Sequence, residues 1–502
     1  MLMFAKAKLN SCKKSNDSEY ILNLDVSWNG SWKNEINYDG VYVFIKYQSD
    51  KKQGYHSAKI TDDIIIDKSD NAVDNFIGDN KLGFFLYPAN VQNKTDMVVE
   101  NITVKVLMEC EPIDIQVFIL EMVYVPEGAH EVGDPGNGIS KGGTLKNCFY
   151  TYPSNGTYKI TSEDAVRFAP EEGCLYCDRD TENAREENDV FDIPAEFPKG
   201  YKEMWYMKYS LTEGQYVQFV NCLTRKQQQA HCMSDISGEY IENYYVCTNS
   251  IEPIKRCEVY CRRNGNAVEM PVKFYSSAPN RAMNAVSYAD VSAFACFAGL
   301  RLISELEFEK ACRGTLTAVK EEFAWGSTKI GRVFHFDGID GSGTELPVAQ
   351  NEGEICNCNY GTDIAPFEKE FKKVPDNPGW VGPASVGIFE NSPALDGITE
   401  RERTGASYYG IMELCGNVWE NLVTVGRAEG RAYIPDHGTG ELDENGMHTM
   451  NNWPDSETAI GIGVRGGVFV SPDPSYLHMA LRVFAAHTKN VKGFHGGIRV
   501  GY

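Results

Sequence analysis

The sequence predicts an α+β protein with an all-β unit at its N-terminus, and three observations support this. Residues 1–119 contain short apolar, β-branched and aromatic runs that are separated by turn signals. Between residues 212 and 311, three segments combine a helix-start signal with apolar residues at helical spacing. From residue 314 onward, glycines and aromatic residues are frequent and long periodic runs are few.

The first unit, residues 1–119, is predicted to be a small β-sandwich of about seven strands. The runs that predict strands are 21–28, 41–47, 62–66, 82–87, 102–106 and 113–118. Asn29 and Gly30 predict a turn after the first of these runs. Trp28 and Trp32 are expected to pack in the core or at an edge, and we assign this unit an attachment or positioning role.

The second predicted unit, residues 120–502, starts with long loops. Its region 134–200 is rich in glycine and charge, and we expect little regular structure there. Helices are predicted to begin at Thr212, Ser287 and Ser304, because each is followed by apolar residues on one helical face.

Composition excludes several classes of protein. A net charge of -22 argues against a protein that tracks nucleic-acid phosphates. There is no run of 18 apolar residues, which argues against membrane insertion, and the N-terminus lacks the pattern of a secretory signal. The 15 cysteines are expected to be reduced and mostly buried, and the Cys174–Cys177 pair has no partner at zinc-site spacing.

The segment 463–502 has regular ends and an irregular middle. Each end places a glycine pair beside an arginine, Arg465 or Arg499, which favours tight turns and close backbone approach. The middle mixes aromatic, hydroxyl, acidic and imidazole side chains with a period of neither 2 nor 3.6. Such a stretch is typical of either a plain surface loop or a ligand-contacting surface on a rigid scaffold.

Several motifs occur in a fixed order along the second unit. They are 122–128 (MVYVPEG), 286–294 (VSYADVSAF), 299–314 (GLRLISELEFEKACRG), 409–420 (YGIMELCGNVWE), 465–467 (RGG) and 497–499 (GIR). Together they resemble the formylglycine-generating-enzyme (sulfatase-modifying-factor) domain. The resemblance covers about 120–502 and implies a variant of the C-type lectin fold.

The resemblance also implies metal chemistry, which can be compared residue by residue. The family's oxidases hold copper with two cysteine thiolates shortly after the Arg-Gly-Gly motif, but this chain has no cysteine after Cys415. We therefore expect neither copper nor this enzyme activity. The related sulfoxide synthases use a histidine-rich iron domain, and no HxxxH pattern is present. An enzyme with a rebuilt active site is the alternative.

A structural calcium ion is a further implication of the resemblance. In the family, the Gly-Asn-x-Trp-Glu segment offers backbone carbonyls and a carboxylate to calcium. The matching residues here are Gly416, Asn417, Val418 and Glu420. Hard oxygen ligands suit this cation. The alternative is that the segment only packs and hydrogen-bonds its own loop.

A second resemblance is to the variable proteins of diversity-generating retroelements, of the kind found in gut Bacteroidetes and their phages. The segments 26–28, 38–47 and 197–201 carry it, together with the Arg-Gly-Gly and Gly-Gly-x-Arg ends. In that family the last stretch of the gene is rewritten at adenines, which yields side chains other than Trp, Met, Lys, Gln and Glu. The candidate variable, ligand-contacting residues within 468–495 are Val468, Ser471, Asp473, Ser475, Tyr476, His478, Val483, Phe484, His487, Phe494 and His495.

Other residues of the same segment are expected to belong to the scaffold. Met479, Lys489 and Lys492 lie outside the allowed set, and Trp419 is expected to be buried beneath the surface. Tyr, His and Phe give contact area at low entropic cost, and Ser and Asp give hydrogen bonds, as in antibody loops.

These observations predict a non-enzymatic ligand-binding protein. We expect it at a phage tail-fibre tip in the virion, binding a host cell-surface protein or glycan, with a bacterial surface protein as the alternative. Residues 1–119 would contact other virion proteins, and several copies, including a homo-oligomer, would raise avidity. A purely structural virion protein with an inert C-terminus is a third hypothesis.

Overall fold

The computed structural model describes residues 5–136, 147–154, 156–178, 190–265, 267–362, 381–487 and 492–502. Its N-terminal part is built from strands. These are β1 (Lys6–Lys14), β2 (Glu19–Lys33), β3 (Asp39–Gln48), β4 (His56–Ser57), β5 (Lys59–Ile60), β6 (Ile65–Ser69), β7 (Val73–Ile77), β8 (Gly83–Pro88), β9 (Gln92–Leu107) and β10 (Asp114–Val125).

The rest of the described chain adds short strands and helices. The strands are β11 (His130–Val132), β12 (Tyr150–Thr151), β13 (Tyr158–Ile160), β14 (Val166–Phe168), β15 (Leu175–Tyr176), β16 (Phe191–Ile193), β17 (Met204–Met207), β18 (Val259–Cys261), β19 (Phe274–Ser276), β20 (His335–Asp337), β21 (Leu346–Val348), β22 (Glu420–Val423) and β23 (Ile462–Arg465). The α-helices are α1 (Glu213–Val220), α2 (Arg225–Ala230), α3 (Tyr288–Ala298), α4 (Glu305–Arg313), α5 (Glu400–Thr404) and α6 (Ala428–Arg431). Two 3₁₀ helices span Ile388–Asn391 and Pro474–Leu477. This sheet-rich content with few helices agrees with the predicted α+β class.

Two sheets organise the N-terminal part. One has the order β1-β2-β9-β5, with β6 also beside β9, and the other has the order β17-β10-β3-β8-β7, with β4 also beside β3. Alternating burial along β2 follows from its alternating sequence, which turns Leu22, Leu24 and Val26 inward. These side chains share a core with Val43 of the second sheet, so the two sheets pack face to face.

Strand β3 is buried along its whole length because both of its faces are covered. Val41 and Val43 point into the N-terminal core. Tyr42 and Phe44 point the other way, into a core that continues through α1 and α3. A strand buried on both faces has a continuous rather than an alternating apolar sequence, as this one does. The second sheet therefore lies between the two halves of the molecule.

The predicted boundary between residues 119 and 120 needs correction. It falls inside β10, which pairs with β3 along one edge and with β17 along the other, where Met122 lies opposite Met207. The units 1–119 and 120–502 therefore share a sheet. The alternating sequence of 113–118 predicted the strand, but its continuation to Val125 depends on pairing with a strand about 85 residues away.

The predicted turn at Asn29 and Gly30 is also wrong. Strand β2 continues to Lys33, and its register with β9 shifts between Trp28 and Ser31. Gly30 has a φ of 61°, so this glycine accommodates a bulge within the strand instead of ending it. Trp28 is buried in the core, as expected.

Region 134–200 is more regular than predicted. In its described part, β13 pairs with β11 and four strands form a sheet in the order β12-β15-β14-β16. Each of these strands has only two or three residues, too few to show a periodic pattern in the sequence. The region packs against the C-terminal segment at Arg482, as described below.

The three predicted helices, α1, α3 and α4, begin where their capping signals indicated. The Thr212 hydroxyl accepts a hydrogen bond from the Gln215 N–H at 3.2 Å, and the Ser304 hydroxyl accepts one from the Glu307 N–H at 3.1 Å. At the start of α3, the Asp290 carboxylate accepts from the Ser287 N–H at 2.7 Å. In the described part of the chain, the helices are too short or too polar to cross a membrane.

Candidate functional site

Helix α4 presents two acidic side chains to the C-terminal segment. Glu305 and Glu309 are four residues apart and so lie on one helical face. Glu305 accepts hydrogen bonds from Arg465 at 2.9 Å and from two nitrogens of Arg482 at 2.7 and 2.9 Å. Glu309 accepts from Arg465 at 2.7 Å. These four buried residues, here called the buried Arg–Glu network, attach the C-terminal segment to α4.

Attraction between the guanidinium groups and the carboxylates stabilises this network. Burial alone would raise the pKa of Glu305, but the Arg482 and Arg465 guanidinium groups outweigh it and lower that pKa. Burial would likewise lower the pKa of Arg482, and Glu305 reverses the effect and raises it. Glu305 and Arg482 therefore both stay charged at neutral pH.

Residues of region 134–200 cover the other side of Arg482. The guanidinium donates to the Asn147 carbonyl at 3.3 Å and contacts the Cys177 sulfur at 3.1 Å. It also lies 3.9 Å from the centre of the Phe149 ring. The long region thus covers one side chain of the C-terminal segment.

The other end of the segment is held by Arg499. Its guanidinium donates to Glu420 at 2.9 Å and to the carbonyls of Met207, Lys208 and Met412 at 2.9 to 3.0 Å. Arg465 and Arg499, the two arginines beside the glycine pairs, are therefore both buried and both paired with a carboxylate.

The glycine pair after Arg465 is required by the backbone. Gly466 and Gly467 have φ values of 84° and 74°, which residues other than glycine rarely adopt. A Cβ at Gly466 would lie 2.3 Å from the Leu414 carbonyl oxygen. The prediction of tight turns and close backbone approach is confirmed here.

Between these fixed ends, aromatic side chains form a partly exposed group around Trp419. The Trp419 ring lies 5.9 Å from the Phe484 ring and 5.3 Å from the His495 ring, and Phe484 lies 5.9 Å from His487. Tyr476 lines the same shallow depression as Trp419 and Phe484. We call Trp419, Tyr476, Phe484, His487 and His495 the aromatic surface.

The depression at the centre of the aromatic surface is small. Its volume is about 30 Å³, and Ser471 and Val483 also line it. That is the space of about one water molecule. Trp419 was predicted to be buried, but it is only half-buried because its ring lines this depression. The shape suits contact with a surface better than enclosure of a small molecule.

The predicted contact residues divide by exposure. Tyr476, Asp473 and Ser475 are exposed, whereas Val468 and Ser471 are buried. The half-buried residues are His478, Val483, Phe484, His487, Phe494 and His495.

Several predicted contact residues serve the scaffold. The Val468 N–H donates to the Ser471 hydroxyl at 3.0 Å, which closes a buried turn. Asp473 accepts from the Ser475 N–H at 2.8 Å and so caps the 3₁₀ helix. The His478 ring stacks on Phe323 at 4.5 Å. Their polar and aromatic types resemble contact residues, so the sequence could not separate the two roles.

The residues predicted to be scaffold because of their type are scaffold where the structure describes them. Met479 is fully buried. Lys492 donates to both oxygens of the buried Asp290 carboxylate at 2.8 and 2.9 Å. Lys489 lies outside the described residues. The paired roles of Glu305 and Arg482 were missed, although the spacing of Glu305 and Glu309 on a helix gave a signal for the first.

Comparison with protein families shows which family the chain belongs to. Residues 172–500 match the family model of the sulfatase-modifying factor enzyme 1-like domain. The chain belongs to this family. No curated protein matches the chain. The sulfatase-modifying-factor match covers the buried Arg–Glu network and the aromatic surface, and the predicted resemblance is confirmed.

The copper of the family's oxidases does not fit the residues present. The sequence has no cysteine after Cys415, so the segment that follows Gly467 offers no thiolate. Cys415 itself is buried beneath this segment, and burial raises its pKa to about 12. A thiol with this pKa is protonated at neutral pH and is a poor metal ligand.

Calcium also fits poorly in the folded geometry. Glu420 accepts from Arg499 at 2.9 Å, so a guanidinium already neutralises the carboxylate. The Asn417 carbonyl accepts from the Phe469 N–H at 3.0 Å, and its side-chain oxygen accepts from the Ala384 N–H at 2.8 Å. Gly416 and Val418 are buried beside them. In the described chain, no group of three or more His, Cys, Asp or Glu side chains is placed to hold a metal. The calcium site stays a prediction.

Proposed function

We propose that this chain is a non-enzymatic ligand-binding protein, and that the aromatic surface is its contact surface. The domain that presents it would be a C-type lectin-like variant of the sulfatase-modifying-factor fold. The observation that carries the proposal is the separation of roles in residues 465–499. Arg465 and Arg482 are buried and paired with α4, and Lys492 pairs with Asp290. Aromatic residues of the same segment, such as Tyr476 and Phe484, are exposed or half-buried.

Backbone hydrogen bonds support a surface whose side chains can change. The Val464 N–H donates to the Phe484 carbonyl at 3.0 Å, and the Trp419 N–H donates to the His495 carbonyl at 2.8 Å. These bonds use the main chain and so do not depend on the identity of residues 484 and 495. A rigid backbone with replaceable side chains is what a diversified binding surface needs.

The side-chain types agree with diversification by a retroelement. Tyr476, Phe484, His487 and His495 belong to the set that adenine-directed rewriting can produce. Met479 and Lys492 do not belong to it and serve the scaffold, because Met479 is buried and Lys492 pairs with the buried Asp290 carboxylate. The proposal is therefore a variable protein that recognises a protein or a glycan on a host cell.

A position at the tip of a phage tail fibre gives this proposal a biological setting. Residues 1–119 would contact other virion proteins, and the sheet shared through β10 would transmit that attachment rigidly to the binding domain. Several copies, as a homo-oligomer or as separate fibres, would make a weak single contact sufficient. Display on a bacterial surface is the alternative setting.

Two display libraries test the division of roles. One randomises Tyr476, Phe484, His487 and His495, and the matched library randomises Arg465 and Arg482. We expect most members of the first library, and few of the second, to resist protease as folded proteins. Equal loss of folding in both libraries would contradict the proposal.

Binding to intact host cells tests the contact itself. Tyr476→Ala and Phe484→Ala should reduce cell binding at least about tenfold if these side chains are binding hot spots. Their thermal unfolding temperatures should stay close to that of the unmodified protein. Cell binding that survives both substitutions would place the contact elsewhere.

Family membership favours one other function, an enzyme with a rebuilt active site. The buried thiol of Cys415 and the absence of later cysteines argue against the copper chemistry of the family. Anaerobic titration with Cu(I) decides between the two. Stoichiometric tight binding together with oxidation of a cysteine-containing peptide would establish the enzyme and overturn the binding proposal.

A further inference from the structure

A cavity lies where the N-terminal sheets meet the family domain. Its volume is about 680 Å³, which is in the range of sites for small organic ligands. Phe76 and Tyr124 line it from the N-terminal sheet, and Tyr502 and His437 line it from the family domain. No residue between 438 and 501 lines it among those described, so this cavity is separate from the aromatic surface.

Aromatic rings form the inner wall of the cavity. Trp205 is the most deeply buried of them, with 4% of its surface exposed, and its ring lies 5.6 Å from Tyr124 and 6.1 Å from Phe76. His437 stacks on Tyr502 with 3.9 Å between ring centres. This wall can accept the apolar body of a ligand, and its ring faces can also attract a cation.

Acidic groups form the rim of the cavity. Five carboxylates line it against two basic groups, a formal excess of three negative charges. The Arg301 guanidinium is already paired, because it donates to both oxygens of Glu307 at 2.7 and 3.0 Å. The Glu163 carboxylate already accepts from the N–H groups of Lys199, Tyr201 and Lys202 at 2.7 to 3.1 Å. The charge that a ligand would meet is therefore set mainly by Lys202, Asp79, Glu196 and Glu203.

His437 contributes an aromatic ring and no positive charge to the wall. The Nε2 atom of His437 is buried and has no hydrogen-bond partner among the described residues. Burial lowers the pKa of this imidazole to about 4, so the ring is neutral at physiological pH and adds no positive charge to the site.

We propose that this cavity binds a small organic cation that carries an apolar or aromatic body. The aromatic wall would hold the body, and the acidic rim would hold the ammonium or guanidinium group. The inference is independent of the proposed contact surface, because the two sites share no residue.

A charge series of otherwise similar probes tests the proposal on the full chain. Phenethylamine is a cation, 2-phenylethanol is neutral and 3-phenylpropanoate is an anion at pH 7. We expect isothermal titration and ligand-observed NMR to show binding in the order cation, neutral, anion, and the affinity of the cation to fall as salt is added. Equal affinity for cation and anion, or no binding of the cation, would overturn the proposal.

Substitutions locate the binding. Asp79→Asn and Glu196→Gln change exposed carboxylates of the rim, and each should weaken phenethylamine binding about two- to fivefold, the effect of one screened charge. The matched control, Glu352→Gln, changes an exposed carboxylate away from the cavity and should leave the affinity unchanged. Equal effects of all three variants would show binding by overall charge and overturn the site.

The aromatic wall is tested by a pair of variants at one position. Tyr502→Phe keeps the ring but removes the hydroxyl that accepts a hydrogen bond from the Asp79 N–H. Tyr502→Leu removes the ring as well. Phenethylamine affinity should fall further in the leucine variant than in the phenylalanine variant, and equal affinity in both would refute a role for the ring.

Discussion

Replacing Glu305 by glutamine removes the carboxylate that Arg465 and Arg482 share. Besides these arginines, Glu305 accepts from the Thr424 hydroxyl at 2.9 Å and from the Val425 N–H at 3.0 Å. Removing one partner of a buried ion pair costs roughly 3–5 kcal/mol, because an uncompensated buried charge remains. Arg465 keeps Glu309 as a partner, so we expect a loss near the lower end, about 3 kcal/mol.

Denaturation with guanidinium chloride at pH 7, followed by circular dichroism, measures this loss. The matched control is Glu100→Gln, which breaks an ion pair between exposed side chains, Lys68 and Glu100. Such pairs contribute about 1 kcal/mol or less. If Glu305→Gln destabilised the protein no more than Glu100→Gln, the buried Arg–Glu network would not be what holds the C-terminal segment.

The pH dependence of the same variant follows from the lowered pKa of Glu305. In the unfolded chain a glutamate titrates at about pH 4.3. A lowered pKa in the folded state contributes stability that is fully present above that pH and is lost as the pH falls through the folded value. The difference between the unmodified protein and Glu305→Gln should therefore be constant from pH 5 to 7, within about 0.5 kcal/mol, and should shrink only in stronger acid.

The buried Glu413, the Gly416–Glu420 segment and strand β10 can each be tested by unfolding or by expression of fragments. Burial raises the pKa of Glu413 to about 8. This carboxyl group should therefore make the folded state less stable as the pH rises from ~4.3 to about 8. Glu413→Gln should remove that loss, which is on the order of 1 kcal/mol or more at pH 8 in thermal or chemical unfolding. Arg499 already pairs with Glu420, so removing calcium with EGTA should leave the unfolding temperature unchanged, and a fall of several degrees would instead support the calcium site at 416–420. Because β10 crosses the 119/120 boundary, separately expressed fragments 1–119 and 120–502 should be insoluble or protease-sensitive, whereas two stable, soluble fragments would contradict the shared sheet.

Local signals explain what the sequence could predict of the fold. The helix starts at Thr212, Ser287 and Ser304 depend on side chains three residues apart, so their pattern is visible without tertiary contacts. The strand formed by 41–47 was predicted from its β-branched and aromatic residues. Its burial between two cores was not, because that depends on elements from distant parts of the chain.

In the site too, local features could be predicted from the sequence and contacts between distant residues could not. The glycine pair after Arg465 predicted a tight turn correctly, since a positive φ constrains the residue type directly. The partners of Arg465 and Arg482 lie 160 and 177 residues away on α4, and this separation gives no local pattern. The aperiodic stretch between the arginines predicted a surface, but the burial of Ser471 and the partial exposure of Trp419 depend on how its turns fold back.

Deep sequencing of the 3′ end of this gene across one natural population would show whether the aromatic surface is diversified. We expect substitutions at adenine-derived codons, concentrated at Tyr476, Phe484, His487 and His495. We also expect Arg465, Met479, Arg482, Lys492 and Arg499 to stay fixed, because each is buried or paired in the scaffold. An invariant 3′ end, or variation as frequent at the scaffold residues as at the aromatic surface, would contradict a diversified binding surface.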